Sequence, residues 1–214
     1  MPLTEQAIEL FRAGGWVMWP LLALSVLSVT LTVERSLFWV STNSRRRSRA
    51  LSKIAALIRE GDFDAAFARA SDDHSVYGRL LERLLRTARG PKAGPVSESY
   101  ALEEAETLRS AIDRFSATQS TIISAAPMLG ILGTVTGIIE SFRLIGSAQT
   151  ITDPAQVAGG ISEALFTTAF GLAVALATLF PHALFRAQAD SCLARIEMLA
   201  GTVIESTKKL KRAD

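Results

Sequence analysis

The sequence predicts an all-α integral membrane protein with three transmembrane helices. Three uncharged runs lead to this prediction, because residues 13–33, 115–139 and 164–185 contain no Asp, Glu, Lys or Arg. The hydrocarbon core of a bilayer is about 30 Å thick and takes roughly 20 helical residues, so each run is long enough to cross it. A water-soluble helix of this length would carry charged residues along its outer face. The chain is therefore expected to cross the membrane three times.

The basic residues predict how the chain is oriented in the membrane. Of its 23 Lys and Arg residues, 15 lie between Arg35 and Arg114 and 6 lie from Arg186 onward. Because Lys and Arg collect on the cytoplasmic side of a membrane, both regions are expected in the cytoplasm. The N-terminus and the turn between the second and third spans are then periplasmic. The net charge of +2 reflects this sidedness and does not indicate nucleic-acid binding.

The N-terminal part of the chain contains a lead-in, the first span and a basic region. Residues 1–13 are predicted to form a short amphipathic periplasmic lead-in, and residues 14–39 the first transmembrane helix, with tryptophans near both ends. Tryptophan is enriched at membrane–water interfaces. Residues 40–96 are predicted to form a cytoplasmic helical region with two short amphipathic helices, the first ending near Gly61. A turn is expected around His74.

The second and third spans are predicted to continue into the cytoplasm as long helices. After a serine N-cap, apolar residues recur every three or four positions, so one uninterrupted helix is expected over 97–146. A periplasmic turn is expected at 147–153. A second long helix, which starts with a proline, is expected over 154–207. Residues 208–214 are predicted to form a basic cytoplasmic tail.

Each of the last two spans has its small and polar residues on one side and its large apolar residues on the other. On an ideal helix the arc around Glu163 holds small or hydroxyl-bearing residues, whereas leucines and phenylalanines lie opposite. Small faces let helices approach closely in lipid. A carboxylate at this depth costs about 2.5–3.5 kcal/mol on insertion scales, so it needs a partner, a proton or a water-filled path. Glu163 is therefore the leading candidate functional residue.

Two motifs on these spans resemble those of a known family. The sequence APMLGILGTVTG occupies 126–137, and GISEALFTTAFGL occupies 160–172. In order, spacing and three-span context they resemble the MotA/TolQ/ExbB proton-channel family, and most of all its ExbB-like biopolymer transport branch. The resemblance covers roughly residues 97–200 in sequence and the three-span layout throughout.

The resemblance implies a homopentamer in the bacterial inner membrane whose second and third spans line a central passage. A single-span partner similar to ExbD or TolR would stand in that passage and supply the aspartate that the spans of this chain lack. Proton flow would drive relative rotation and act on a TonB-like or other envelope effector. The implied ion pathway consists of Glu163, Thr134 and Thr168. Six further residues are implied to pack around the pore: Pro127, Gly130, Gly133, Gly137, Gly160 and Gly171.

Three questions remain open at the level of sequence. On an ideal helix Thr167 lies about 40° from Glu163 and Thr168 about 140° away, so periodicity favours Thr167, whereas the motif favours Thr168. Sodium is the alternative to the proton as the transported ion. Near the inner end of the third span, His182 is expected to reach toward the interface, with a role in proton exit as the alternative.

Other functional classes have less support in the sequence. A non-conducting oligomeric membrane scaffold is the alternative function, because small-faced spans also suit plain oligomerisation. The sequence contains no nucleophile–base set, no metal-ligand cluster and no phosphate loop, so neither enzymatic activity nor a metal or other cofactor is expected. Cys192 is the single cysteine and is expected to be unreactive.

Overall fold

The computed structural model describes residues 14–89, 94–147 and 154–213, which are helical apart from turns and short connections. Seven helices lie in these ranges and no strand does. They are α1 (Met18–Thr42), α2 (Arg45–Glu60), α3 (Phe63–Ser71), α4 (Val76–Ala88), α5 (Glu98–Ile112), α6 (Ser116–Ser147) and α7 (Pro154–Ala213).

The chain divides into two compact units. The first, which we call the span unit, comprises Met1–Glu34 and Phe115–Ala183. The second, which we call the basic unit, comprises Arg35–Arg114 and Leu184–Asp214. It contains 21 of the 23 basic residues. The division therefore follows the charge distribution of the sequence.

The span unit exposes large apolar side chains over much of its surface. Within the described residues, three helical stretches are long and apolar enough to cross a membrane: Met18–Thr42, Glu98–Arg143 and Val157–Lys209. Trp19 and Phe180 are 66% and 67% exposed. Because so large an apolar surface is unfavourable in water, it indicates contact with lipid. The prediction of an all-helical protein with three long apolar helices is confirmed.

The basic unit is built around a larger apolar core. At its centre Tyr77 of α4 is 1% exposed, and Ile196 of α7 is fully buried. Fully buried leucines of α4 surround them: Leu80, Leu81, Leu84 and Leu85. Because α4 has leucines on one face and arginines on the other, it packs that single face inward. The unit thus has the core of a water-soluble helical domain.

The region 40–96 contains three helices, not the two predicted. The helix α2 ends at Glu60, and its C-cap is Gly61, as expected, because a φ of 86° there suits glycine. The additional helix is α3, which begins at the N-cap Asp62, whose carboxylate accepts a hydrogen bond from the amide of Ala65 at 3.0 Å. Ala66 and Ala70 of this helix are fully buried. Nine residues rarely form a stable helix alone, so packing in the core stabilises α3.

The prediction of one uninterrupted helix over 97–146 is wrong. Helix α5 ends at Ile112, α6 begins four residues later, and Phe115 between them has a φ of 64°. At the end of α5 the Arg35 guanidinium donates hydrogen bonds to the carbonyl oxygens of Ala111, at 3.3 Å, and Ile112. The last carbonyls of a helix have no partner within it, and a cation there is favoured by the helix dipole. A side chain distant in sequence thus satisfies the carbonyls of α5 where the helix ends.

Several predicted boundaries fall at the limits of the described residues. The lead-in 1–13 lies outside them, and of the predicted turn at 147–153 only Ser147 is described, as the last residue of α6. The first helix begins at Met18, after a turn. Helix α7 begins at the predicted proline and is 60 residues long, so it continues past residue 207.

Candidate functional site

The helices α6 and α7 pack antiparallel within the span unit, and glycines bring them close together. A Cβ atom built on Gly130 would lie 2.9 Å from the Cα of Thr168, and one built on Gly171 would lie 2.5 Å from the carbonyl oxygen of Ala126. Optimal separations between carbon atoms are about 3.5–4.0 Å, so neither position has room for a side chain. The two backbones are in direct contact here.

The same close packing continues toward the other end of the pair. A Cβ atom on Gly137 would lie 2.8 Å from the Cβ of Ala164, and Gly133 and Gly160 face side-chain atoms of the opposite helix at still shorter range. All five glycines predicted to pack around the pore thus lie in the contact between α6 and α7 of one chain. Pro127, within α6, is half-buried.

Thr134 and Thr168 meet at this contact. Their hydroxyl groups hydrogen-bond to each other between α6 and α7. The Thr134 hydroxyl also lies 3.1 Å from the carbonyl oxygen of Ala164, and the Thr168 hydroxyl lies 2.9 Å from that of Gly130. Both side chains are half-buried. The pair thus keeps part of its surface outside the helix contact.

Thr167 occupies a different environment. Its side chain is 2% exposed and lies inside the contact between α6 and α7. Its hydroxyl donates a hydrogen bond to the carbonyl oxygen of Ala164 at 2.7 Å and lies 3.2 Å from that of Gly130. This hydroxyl is therefore committed to backbone carbonyls, whereas that of Thr168 meets another side chain.

Glu163 lies on α7 one turn before Thr167, at the border of the charge-free run. Its side chain is half-buried, and a Cβ atom on Gly15 would lie 3.5 Å from its Oε1 atom. Gly15 has a φ of 62°, a conformation that glycine adopts without strain. The backbone that leads into α1 therefore passes close to the carboxylate. The carboxylate and the threonine pair both belong to the span unit.

The sequence did not predict two buried polar pairs in the span unit. Ser28 Oγ of α1 and Thr178 Oγ1 of α7 are 2.6 Å apart, and His182 Nδ1 lies 3.3 Å from Gln119 Oε1 of α6. All four side chains are buried. His182 thus packs inside the unit instead of reaching toward the interface. The one signal available in the sequence is the four-residue spacing of Thr178 and His182, which puts both on one helix face.

Residues 73–198, more than half of the chain, match the profile of the MotA/TolQ/ExbB proton channel family. The chain belongs to this family. The matched range runs from just before α4 into the second half of α7, so it contains Glu163 and both threonines of the hydroxyl pair.

Individual members of the family are similar over different lengths. The biopolymer transport protein ExbB-like 3 of Synechocystis sp. is 37% identical over 177 residues, which cover 81% of this chain and 82% of that protein. ExbB-like 1 of the same organism is 35% identical over 184 residues, covering 82% and 69%. ExbB of Salmonella typhimurium is 40% identical over 85 residues, covering 40% and 34%.

In this member of the MotA/TolQ/ExbB family, the site offers the chemistry of proton exchange. A carboxylate can bind and release a proton, and hydroxyl groups can both donate and accept hydrogen bonds. Among the described residues, no group of three or more His, Cys, Asp or Glu could hold a metal ion. The chain is thus a three-span membrane protein of a proton-channel family.

Proposed function

We propose that the chain is the pore-lining subunit of a proton-driven motor of the ExbB and TolQ type. The observation that carries the proposal is the hydroxyl pair of Thr134 and Thr168, which lies within the charge-free runs of α6 and α7. Glu163 lies on α7 at the border of the second of these runs. Polar and ionisable groups at membrane depth are costly and mark ion pathways. The pathway runs past Glu163, Thr134 and Thr168. Thr168 is preferred to Thr167 because its half-buried hydroxyl meets that of Thr134, whereas the Thr167 side chain is buried and bonds to backbone carbonyls.

The proposed mechanism couples proton binding to movement. Each elementary charge that crosses the membrane releases about 2.3 kcal/mol per 100 mV. A carboxylate that becomes neutral on protonation passes more cheaply between polar and apolar surroundings than a charged one. Proton binding and release by Glu163 and by an aspartate of a partner would therefore permit rotation of one against the other. The glycine contact keeps α6 and α7 close enough for the two hydroxyls to meet.

The proposal extends to the assembly and its location. The chain forms a homopentamer in the inner membrane, with its N-terminus in the periplasm and its C-terminus in the cytoplasm. The helices of the basic unit, including the second half of α7, extend into the cytoplasm. A single-span protein similar to ExbD or TolR supplies the aspartate, and a TonB-like or other envelope protein receives the work. Support comes from the 21 basic residues of one unit, which the positive-inside rule assigns to the cytoplasm.

The decisive experiment substitutes Glu163→Gln, which keeps the shape and hydrogen bonding of the side chain but removes its titration. The full-length chain with its single-span partner is reconstituted in liposomes, and proton entry is read from an enclosed pH dye. Flux is expected to fall about a hundredfold or more, the contribution typical of an acid–base group. Assembly, read by size-exclusion chromatography, is expected to stay unchanged.

Glu140→Gln is the matched control, because Glu140 is exposed at the end of α6 and lies 3.7 Å from Arg143. It is expected to conduct like the unsubstituted chain. If Glu163→Gln also conducts normally, the motor proposal fails. The non-conducting scaffold, in which Glu163 only makes a hydrogen bond between subunits, would then be the better account.

A further inference from the structure

The basic unit presents an exposed, positively charged face on α2 that the proposed motor does not use. This helix contains six basic residues and one acidic residue, Glu60. On an ideal helix Arg46, Arg49 and Lys53 lie on one side, and all three are exposed. The opposite side packs into the core of the unit through three large apolar residues: Leu51, Ile54 and Ile58. We call Arg46, Arg49 and Lys53 the basic face.

The side chains of the basic face are available to an external anion. The neighbouring Arg47 is engaged within the unit, because its Nε atom lies 3.3 Å from Oδ1 of Asp73 and its guanidinium donates a hydrogen bond to the carbonyl oxygen of Ser41. The three residues of the basic face make no side-chain hydrogen bond or ion pair with another described residue. Guanidinium groups bind phosphate through charge-assisted hydrogen bonds, so phosphate is an anion that suits this face.

The basic face begins close to the inner end of the first span. Helix α1 ends at Thr42, and on its last two turns Leu37 and Val40 are 68% and 75% exposed. Exposed apolar side chains that extend a membrane span indicate contact with lipid. Arg46 follows Val40 by six residues, which is about 9 Å at the rise of a helix. The headgroup layer is about 5–8 Å deep on each side of the hydrocarbon core, so a long side chain at Arg46 reaches it.

The other end of α2 lies farther from the charge-free runs. Arg59 lines a cavity of about 340 Å³ in the basic unit, together with residues of α7 between Met198 and Lys209. The charge-free run of α7 ends at residue 185, so Met198 lies thirteen residues and about 20 Å beyond it along the helix. The end of α2 with Arg46 and Arg49 is therefore the end nearer to the bilayer.

We propose that Arg46 and Arg49 bind the phosphate groups of anionic phospholipids at the inner end of the first span, and that Lys53 strengthens the local positive potential. Anionic lipid attracts basic residues that lie next to a span. A lipid surface is favoured over a partner protein because the exposed apolar side chains of α1 come directly before this face in the chain. The inference does not depend on the proposed motor, since it uses only the first span and the charges of α2. Its consequence is that anionic lipid anchors α2 at the surface of the bilayer.

Lipid retention, measured by native mass spectrometry, tests this site. The full-length chain is purified in a neutral detergent and supplied with phosphatidylglycerol, phosphatidylcholine or inorganic phosphate. Phosphatidylglycerol is expected to be retained in preference to the other two. Phosphatidylcholine has no net charge, and inorganic phosphate has no acyl chain to pack beside the exposed apolar residues of α1.

Arg46→Gln/Arg49→Gln is expected to weaken the retention of phosphatidylglycerol about thirtyfold, because each basic residue near a membrane surface contributes about fivefold in affinity. The matched control is Arg59→Gln/Lys208→Gln, which removes the same charge from exposed positions at the far end of α2 and near the end of α7. This control is expected to retain lipid like the unsubstituted chain. Unfolding midpoints in neutral detergent verify that both variants fold. If the first variant is destabilised, Arg46→Gln alone replaces it, with an expected loss of about fivefold.

A fluorophore on a single cysteine tests the site in bilayers. Ala50→Cys, exposed beside the basic face, and Gly201→Cys, exposed on α7 where a Cβ atom would meet nothing within 4 Å, are prepared in a Cys192→Ala background. A quencher attached to lipid headgroups is expected to quench Ala50→Cys more strongly in bilayers that contain phosphatidylglycerol than in phosphatidylcholine alone. The difference is expected to vanish in about 1 M salt, where the Debye length falls to about 3 Å. Gly201→Cys is expected to show no such difference.

The outcomes distinguish a lipid site from the alternatives. Equal retention of phosphatidylglycerol by the unsubstituted chain and Arg46→Gln/Arg49→Gln would overturn the proposal, and an acidic segment of a partner protein would then be the better occupant. Equal losses in the control variant would show that net charge, and not this face, attracts the lipid. Inorganic phosphate retained as well as phosphatidylglycerol would exclude the bilayer as the source of the anion. Equal quenching of Ala50→Cys in neutral and anionic bilayers would also overturn it.

Discussion

Gly171 lies where the backbones of the two motif helices are in contact. Its hydrogen atom occupies the space where a Cβ atom would lie 2.5 Å from the carbonyl oxygen of Ala126. Because the obstacle is backbone, it cannot rotate away as a side chain could. A side chain at this position would push α6 and α7 apart and so disturb the contact between the threonine hydroxyls.

Gly171→Ala is expected to destabilise the span unit by about 1–3 kcal/mol, the usual cost of overpacking. The matched substitution is Gly159→Ala on the same helix, where a Cβ atom would meet nothing within 4 Å. It is expected to be neutral, or to stabilise by up to about 1 kcal/mol through the higher helix propensity of alanine. Thermal unfolding in detergent measures both. Equal midpoints for the two variants would contradict the close contact.

Cys192 and Tyr77 are buried together in the core of the basic unit. Burial raises the pKa of the Cys192 thiol and the pKa of the Tyr77 hydroxyl above their ordinary values. Both groups are neutral when protonated, so the folded chain holds these protons more tightly than the unfolded chain. This tighter proton binding stabilises the folded state fully below the ordinary thiol pKa of about 8.5. The stabilisation from the thiol is lost as the pH rises through its raised pKa in the folded chain.

The basic unit is therefore expected to unfold at progressively lower temperature as the pH rises from about 8.5 to 10.5. In Cys192→Ala the first part of this decline is expected to disappear, because only the tyrosine remains to titrate. Unfolding midpoints measured at closely spaced pH values test this expectation. Parallel curves for the two proteins would show that the thiol does not contribute. We also expect the Cys192 thiol of the folded chain to react slowly with maleimide at pH 7.

At the scale of elements, the break between α5 and α6 depends on a residue far away in sequence. Arg35 is 3% exposed, donates to the last carbonyls of α5, and places its guanidinium 4.4 Å from the ring centre of Phe38. The cation thus satisfies helix carbonyls and packs on an aromatic face. These contacts stabilise the end of α5 against the last part of α1.

Arg35→Gln is expected to destabilise the basic unit by about 1.5–3 kcal/mol, the usual loss for hydrogen bonds to a charged group. The control, Arg46→Gln, removes the same charge from an exposed position on α2 and is expected to change stability by less than about 0.5 kcal/mol. Chemical denaturation of the purified chain in detergent compares the two. Similar losses in both variants would mean that net charge, and not the capping contact, is responsible.

At the scale of the whole molecule, the two units differ in their surfaces and in their charge. The span unit exposes leucine, phenylalanine and tryptophan, whereas the basic unit buries the leucines of α4 and has most of the charge. Since lipid and water select opposite surfaces, the same chain contains one unit with an apolar exterior and one with an apolar interior. The prediction that belongs to this scale is which side of the membrane each part of the chain faces.

The predicted sidedness can be tested with single cysteines in a Cys192→Ala background. Gly159→Cys, exposed near the start of α7, is expected to react with a membrane-impermeant maleimide added to intact spheroplasts. Ser52→Cys, exposed on α2, is expected to react only after lysis. Both expectations follow from the excess of basic residues in the basic unit. Labelling of Ser52→Cys in intact spheroplasts would show that the orientation is the reverse of the predicted one.

The sequence by itself determined the three spans, the charge asymmetry, the candidate Glu163 and the family motifs. Each of these is a local property, because partition into lipid adds up over consecutive residues and a motif is read along one helix. The amphipathic core helices of the basic unit were also visible, because their apolar residues recur with helical period.

Only the tertiary structure decided where α5 stops, that α3 exists, and which threonine meets Thr134. Each depends on a partner distant in the chain: the hydrogen bond from Arg35 to Ala111 spans 76 residues, and the one between Thr134 and Thr168 spans 34. Periodicity places a side chain on a face of its own helix but does not say which helix lies opposite or how closely. That distance depends on glycines of both helices at once, and so it exists only in the packed pair.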